Sequence, residues 1–271
     1  MTPEEYDGTP PGTATRTFIK FMMSTMMLAL GSEVGGGITN ALSDGLKKLA
    51  EMQLATNPDD KTLADVVDTL DKDHQAAMRK GLLIIGAWSA FEAWAEDFTK
   101  GLMQTNRDLF EGKAFRRMQV SPGHLRTESG RDIVWEAIEG SLDRDQQGIA
   151  RYEELFTSVG LPGDVLDGSE VDIRSPFLNA FAIRNVWAHN AGYADQKFVE
   201  RSSGLLDFAV GDLVSLKYDE QFQLCVSALI MYPMIVSNRQ REANGIGPQP
   251  LHGRPRDTPL GQAYLAQYPG A

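Results

Sequence analysis

The chain has 271 residues, 42% of them apolar, and a formal net charge of −11. This length suits one large domain, or a domain with appendages, and excludes neither a sizeable core nor an enzyme. The acidity argues against a protein that coats nucleic acid, because such coating depends on counterion release by Lys and Arg. Residues 171–271 carry nine cations and nine anions, so a local contact with RNA is not excluded.

The cellular compartment is indicated by the cysteine content and the first residues. Cys225 is the single cysteine, so an intramolecular disulfide is excluded and a reducing compartment is favoured. Residues 1–5 are acidic and lack the positive start of a signal peptide. The apolar run 21–30 has about half of the ~20 residues that a membrane-spanning helix needs. We therefore expect a cytoplasmic protein with no membrane partner.

The first 60 residues are predicted to lie outside the main domain. Residues 1–13 contain three prolines and two glycines and are predicted to be a flexible tail. Residues 14–60 are predicted to be a helical extension. One helix is expected over residues 15–30 and a second over residues 39–55, where leucines recur at three- and four-residue spacing.

The main helical domain is predicted over residues 61–241. Its strongest signal covers residues 61–104, with an interruption near residues 71–73. Apolar residues in the second half recur every three or four positions, which predicts a wide buried stripe formed by Leu82, Ile85, Trp88, Phe91, Trp94, Phe98 and Leu102. Glu92 lies beside this stripe. It either faces solvent or turns inward toward a cationic partner.

A local excess of cations follows this helix. A segment centred on Ser121-Pro122-Gly123 is predicted to be a loop, and it contains one anion, Glu128. Its cations are Lys113, Arg116, Arg117, Arg126 and Arg131. Two interpretations stay open: a solvated loop paired with nearby acids, and a contact with the RNA backbone.

The next elements are two short helices within residues 130–160 and then a longer helix. Ser175 is predicted to be the N-cap of the longer helix, with Pro176 at its first position. Asn190 and Gly192 are natural stop residues, so we expect the helix to end there.

The last part of the chain is predicted to contain the only strands. Residues 205–210 and 213–218 are expected to form a β-hairpin with a two-residue turn at Gly211-Asp212. A last long helix is expected over residues 218–241. Residues 242–271 are rich in Pro and Gly and are predicted to be a disordered tail.

The most informative stretch lies at the end of the helix that begins at Ser175. It contains Arg184 and His189 with four residues between them, and Asn185 and Asn190 follow each in turn. Arginine is a permanent cation that binds phosphate bidentately. Histidine can give and take protons near neutral pH. The pair therefore suits cleavage of a phosphodiester without a metal ion.

Two further residues are candidates for supporting this chemistry. Asn185 lies one helical turn behind His189 and could orient its ring. Glu92 could fix Arg184 through a bidentate ion pair. The alternative is structural: Arg184 as a member of a buried ion pair, and His189 as a cation at the C-terminal end of its helix.

The spacing of the pair sets a geometric condition. Residues five apart on a straight helix are rotated by about 140° from each other, so Arg184 and His189 do not share a face. They converge only if both flank a cleft at a dimer interface, or if the helix loosens before Gly192. The site hypothesis therefore depends on a second copy or on an irregular helix.

Residues 183–200 resemble the HEPN superfamily of small all-helical proteins. The signature of that superfamily is an arginine, four to six residues and a histidine, often with a polar residue directly after the arginine. Arg184, Asn185 and His189 fill these positions. The continuation from His189 resembles the HN-x-G-x-x-D string of a branch found with bacterial defence systems. The helix around Glu92 resembles the first core helix of that branch, and the resemblance extends over residues 75–240.

The resemblance implies an all-α, HEPN-like helical bundle with a small β-hairpin before the last long helix. It also implies a homodimer whose two motif helices face each other and cut single-stranded RNA by attack of the 2′-hydroxyl. Such a protein would be a toxin or an anti-phage effector, with an antitoxin or a defence-system partner. Arg184, His189 and Asn185 would be catalytic, with Glu92 and Asn190 in support.

An alternative of a different class stays open. Some HEPN proteins are catalytically silent helical modules that serve association or RNA binding, and the acidity of the chain agrees with that interpretation. The sequence contains no metal-binding motif such as HExxH, and we expect neither a metal nor a cofactor.

Overall fold

The computed structural model describes residues 1–34, 48, 72–105, 135, 138, 142, 148–161, 172–202, 206–216, 221–251 and 254–269. These residues form eight α-helices and one 3-10 helix. The α-helices are α1 (Pro3–Asp7), α2 (Pro10–Val34), α3 (Lys72–Thr105), α4 (Ile149–Ser158), α5 (Arg174–His189), α6 (Gln196–Arg201), α7 (Gln223–Ala243) and α8 (Pro259–Gln267), and the 3-10 helix is Arg254–Asp257. The predicted all-α class is confirmed.

The long helix α3 packs against α2, α5 and α7. Its predicted stripe is confirmed from Trp88 to Leu102, where the five stripe residues are at most 2% exposed. The start of the stripe was predicted wrongly, because Leu82 is 55% exposed and Ile84 is buried instead. Residues two apart on a helix are rotated by about 200°, so Leu82 and Ile84 cannot both face the core.

Aromatic rings fill the space between α3, α4, α5 and α7. The ring of Phe91 lies 4.5 Å from Tyr152 and 5.0 Å from Phe177, nearly perpendicular to both. Phe177 in turn lies 5.5 Å from Tyr232. Edge-to-face pairs add about 0.5–1.5 kcal/mol each beyond the burial of their area. This cluster fixes α5, which carries Arg184 and His189, against the rest of the bundle.

The flexible tail predicted over residues 1–13 was wrong. Helix α1 begins with a capping box formed by Thr2 and Glu5, and Tyr6 is only 2% exposed. The buried Arg241 of α7 places Nη1 3.2 Å from Asp7 Oδ1 and its guanidinium 5.2 Å from the centre of the Tyr6 ring. The prolines misled the prediction because they begin helices here, where the missing N–H costs nothing.

The disordered tail predicted over residues 242–271 was also wrong within its described part. Helix α8 is capped by Thr258, whose Oγ1 accepts the N–H of Gly261 at 3.1 Å. Tyr264 is 1% exposed, and its hydroxyl accepts a hydrogen bond from Asn238 Nδ2 at 2.6 Å. Burial raises the pKa of Tyr264. A few well-placed apolar side chains therefore suffice to dock this segment on α7.

The predicted β-hairpin is not confirmed. The turn exists, because the N–H of Asp212 donates to Ala209 O at 3.1 Å. The segment after the turn pairs with the residues that follow α5: Val214 N–H donates to Gly192 O at 2.8 Å, and a single antiparallel bridge joins Tyr193 to Leu213. Apart from the turn itself, the backbone hydrogen bonds of residues 206–216 join Gly192 and Ala194, which follow α5.

Of the three remaining helix predictions, one falls on described residues and two fall mainly outside them. Helix α2 continues through Gly31 to Val34. The second helix predicted over residues 39–55 lies outside the described residues, apart from Lys48. The interruption predicted near residues 71–73 is untested, because the described residues resume at Lys72.

None of the described helices combines the length and apolar content needed to cross a bilayer.

Candidate active site at the end of helix α5

Helix α5 begins two residues earlier than predicted, at Arg174 instead of Pro176, and its N-cap is Ile173. The side chain of Asp172 accepts the N–H groups of Arg174 at 2.9 Å and Ser175 at 3.2 Å. Ser175 is therefore inside the first turn, and the prediction of Ser175 as N-cap was wrong. Burial alone would raise the pKa of Asp172, but the hydrogen bonds from Ser175 and Arg174 outweigh it and lower that pKa.

The predicted end of α5 is confirmed. His189 is the last helical residue, and the N–H of Asn190 donates to Val186 O at 2.9 Å. The chain then turns sharply, with φ of 51° at Ala191 and 88° at Gly192. A positive φ favours glycine, which explains why Gly192 stands here.

A side-chain hydrogen bond fastens this turn to the next helix. Asn190 Nδ2 donates to Asp195 Oδ2 at 2.7 Å, while Asp195 Oδ1 accepts the N–H of Phe198 at 2.7 Å. The bonds from Phe198 and Asn190 lower the pKa of Asp195. The Asn and Asp of the HN-x-G-x-x-D string thus have a shared structural task, which is to join the end of α5 to the start of α6.

The guanidinium of Arg184 lies beside two polar side chains. Nη1 donates to Asn185 Oδ1 at 2.9 Å, and Nη2 lies 4.0 Å from Glu92 Oε2. The structure brings Glu92 beside Arg184 as predicted, but 4.0 Å is too long for the predicted bidentate bonding. The Arg184 and Glu92 side chains are 28% and 45% exposed, so their attraction contributes little to stability.

Asn185 does not orient His189 within one chain. Its side-chain oxygen accepts from Arg184 instead. The ring of His189 is exposed in the last turn of α5, and it makes no hydrogen bond, ion pair or ring contact with the described residues. His189 is the basic residue in the last turn of α5, which is the position that the structural alternative gives it.

The relative direction of Arg184 and His189 follows from the regularity of α5. The bond from Asn190 N–H to Val186 O keeps the α-helical spacing through the last turn. The helix therefore does not loosen before Gly192, and the two side chains remain about 140° apart around its axis. One copy of the chain does not direct both side chains toward one point.

Trp187 anchors the end of α5 on α3. Its indole is 9% exposed and lies between Gly81 and Gly192; a β-carbon on Gly192 would come within 2.6 Å of Cη2. The ring of His74 lies 6.2 Å from the Trp187 ring and 6.1 Å from that of Tyr193. The sequence interpretation missed this anchor because a glycine inside a helix gives no sign of what packs against it.

Replacing Gly81 by alanine is expected to lower the free energy of unfolding by about 1–3 kcal/mol, because the new methyl group would overlap the Trp187 ring. Gly86 on the same helix is the matched control, since nothing lies within 4 Å of a β-carbon there. Gly86→Ala is expected to be neutral or stabilising by roughly 0.5–1 kcal/mol. Denaturant titration compares the two. Equal changes in the free energy of unfolding for the two variants would contradict the packing of Trp187 against Gly81.

The five cations of the basic loop, Lys113, Arg116, Arg117, Arg126 and Arg131, lie outside the described residues. Within the described ranges, no three His, Cys, Asp or Glu side chains are grouped as for a metal ion. Comparison of the chain with protein-family models, curated proteins and solved structures finds no match in any of the three.

Proposed function

We propose that the chain is a metal-independent endoribonuclease that cleaves single-stranded RNA through a site shared by two copies. The observation that carries the proposal is the surface position of Arg184 and His189 on one regular helix, with the His189 ring exposed and Asn185 bound to the guanidinium. The resemblance of residues 183–200 to HEPN ribonucleases supports the same chemistry.

The reaction assigns a separate task to each side chain. His189 of one copy removes the proton from a 2′-hydroxyl, whose oxygen then attacks the adjacent phosphorus. His189 of the other copy protonates the leaving 5′-oxygen as its bond to phosphorus breaks. The products are a 2′,3′-cyclic phosphate and a 5′-hydroxyl. Arg184 stabilises the negative charge on the phosphoryl oxygens, where preorganised electrostatics is usually the largest contribution.

The divergence of Arg184 and His189 supports a second copy. Arg184 and His189 diverge by about 140° on a helix that stays regular to its end, so a single chain cannot aim both at one phosphate. Two α5 helices facing each other would place the arginine of one copy near the histidine of the other. The proposal accordingly includes a homodimer, a cytoplasmic role as toxin or anti-phage effector, and an antitoxin or defence-system partner.

A second candidate function is a catalytically silent helical module for association or RNA binding. It is favoured by the same divergence of Arg184 and His189 within one chain. It is also favoured by the contacts that Arg184 already makes to Asn185 and Glu92.

The test compares two oligonucleotides of identical sequence in EDTA, one of RNA and one of 2′-deoxy nucleotides. The proposal expects cleavage of the RNA and none of the DNA, because only RNA supplies the 2′-hydroxyl nucleophile. A purified protein that binds RNA without cutting it would favour the silent module. Cleavage of both oligonucleotides would contradict the assigned nucleophile.

A further inference from the structure

A partly open cavity of about 280 Å³ lies between α3 and α4. Glu92, which lies beside Arg184, also lines this cavity. The other polar and aromatic groups in its wall are Glu96, Trp135, Arg151 and Tyr152. This volume is just below the range of about 300–1,000 Å³ that is typical of small-molecule sites, so the cavity suits a ligand no larger than a single planar ring system.

The aromatic part of the wall is held in place by the core. The Tyr152 ring lies 4.5 Å from Phe91 and 6.3 Å from Trp88, both of which are fully buried. Trp135 is half-buried against the same core. A fixed aromatic wall provides a surface on which a nucleobase can stack, and such stacking is how proteins hold the unpaired bases of single-stranded RNA.

The carboxylates give the cavity its hydrogen-bonding character. Glu92 Oε2 is 4.0 Å from Arg184, too far for a hydrogen bond, and no hydrogen bond to Glu92 is found within the described residues. Glu96 Oε1 accepts from Lys100 at 2.6 Å, which fixes that side chain. Ionised carboxylates only accept hydrogen bonds, and each has about four lone-pair sites. The carboxylates of the cavity therefore favour a ligand ring that has N–H donors on its edge.

We propose that this cavity is a base-binding subsite that prefers guanine. Guanine presents two adjacent N–H donors, N1–H and the N2 amino group, which match the two oxygens of one carboxylate. Adenine, cytosine and uracil each offer a single donor position there. Arg151 in the same wall carries the guanidinium that commonly pairs with guanine O6 and N7. The biological meaning of the subsite, selection of the base beside the cleaved phosphate, rests on the proposed ribonuclease function.

The experiment measures binding of the four nucleosides to the full chain by ligand-observed NMR, which needs no cleavage. Guanosine is expected to bind at least about tenfold more tightly than the other three, the discrimination of one good bidentate pair. Glu92→Gln is expected to abolish this preference, and Trp135→Ala to weaken all four nucleosides about tenfold. Asp97→Asn removes a neighbouring exposed carboxylate outside the cavity and is the matched control, expected to change nothing.

The outcomes separate the subsite from the enzyme. Equal affinities for the four nucleosides, or a guanosine preference that survives Glu92→Gln in a protein of unchanged helicity, would overturn the subsite. RNA cleavage with no base preference and no nucleoside binding would do the same and would leave the ribonuclease proposal standing. Guanosine binding without any RNA cleavage would support the subsite and contradict the ribonuclease proposal.

Discussion

Replacing His189 by alanine is expected to slow RNA cleavage by ~10²–10⁴-fold, the usual contribution of a positioned general acid or base. The ring is exposed and makes no hydrogen bond, ion pair or ring contact with the described residues, so its removal should leave the free energy of unfolding nearly unchanged. The rate is measured with enzyme in excess over RNA, and stability by denaturant titration of the same samples.

Asn190→Ala is the comparison for this variant. It breaks the bond to Asp195 that fastens the end of α5 to α6, and it removes no proton-transfer group. We expect its cleavage rate to fall by less than about tenfold, since Asn190 positions the turn and does not carry the chemistry. A His189→Ala protein that cuts RNA at the wild-type rate would end the assignment of His189 as acid or base.

Replacing Arg184 by alanine is expected to lower the cleavage rate by ~10²–10³-fold, the cost typical of losing one preorganised donor to the transition state. Arg174 on the same helix is the matched control. Its guanidinium is exposed and donates to Glu153 Oε1 at 2.8 Å. Arg174 lies at the other end of α5, sixteen residues before Asn190. Arg174→Ala should leave cleavage unchanged. Equal losses in both variants would indicate a general effect of charge on RNA binding.

The shared site can be tested with the same two variants. If each active site takes side chains from two copies, co-expressed Arg184→Ala and His189→Ala chains form heterodimers that retain one arginine and one histidine in the cleft. We expect such heterodimers to cleave RNA faster than the His189→Ala homodimer, because one of the two proton-transfer groups returns to the cleft beside an arginine of the other copy. No recovery in a sample whose heterodimers are verified by native mass spectrometry would argue against a composite cleft.

The helical core was predictable because its signal is periodic. The spacing of Trp88, Phe91, Trp94, Phe98 and Leu102 predicts the buried face of α3, and all five are buried. The end of α5 was predictable for a local reason, since Asn190 and Gly192 favour the conformations that stop a helix.

The termini were not predictable, because their order comes from contacts distant in sequence. Tyr6 and Asp7 are held by Arg241, which lies 234 residues after Asp7. Tyr264 is held by Asn238 on α7. Proline and glycine content predicts local flexibility and says nothing of such partners. The β-hairpin was not confirmed for the same reason, because the N–H of Val214 donates to Gly192 O.

The candidate site was only partly predictable. Arg184, Asn185, His189 and Glu92 were identified from the motif, and the structure brings three of them together through the contacts of Arg184. The sequence could not show that Asn185 binds Arg184, because neighbouring residues can bond in several ways. Nor could it show Trp187 seated against Gly81, because that contact depends on how two helices cross.

Cleavage of RNA by Arg184 and His189 without a metal ion leaves product ends whose chemistry can be measured directly. Purified wild-type protein is incubated with a single-stranded RNA oligonucleotide in EDTA, and the fragments are analysed by mass spectrometry beside those of the Arg184→Ala/His189→Ala double variant. The account predicts 2′,3′-cyclic phosphate and 5′-hydroxyl ends from the wild type and intact RNA with the double variant. Intact RNA with both proteins, or 3′-hydroxyl and 5′-phosphate ends, would contradict it.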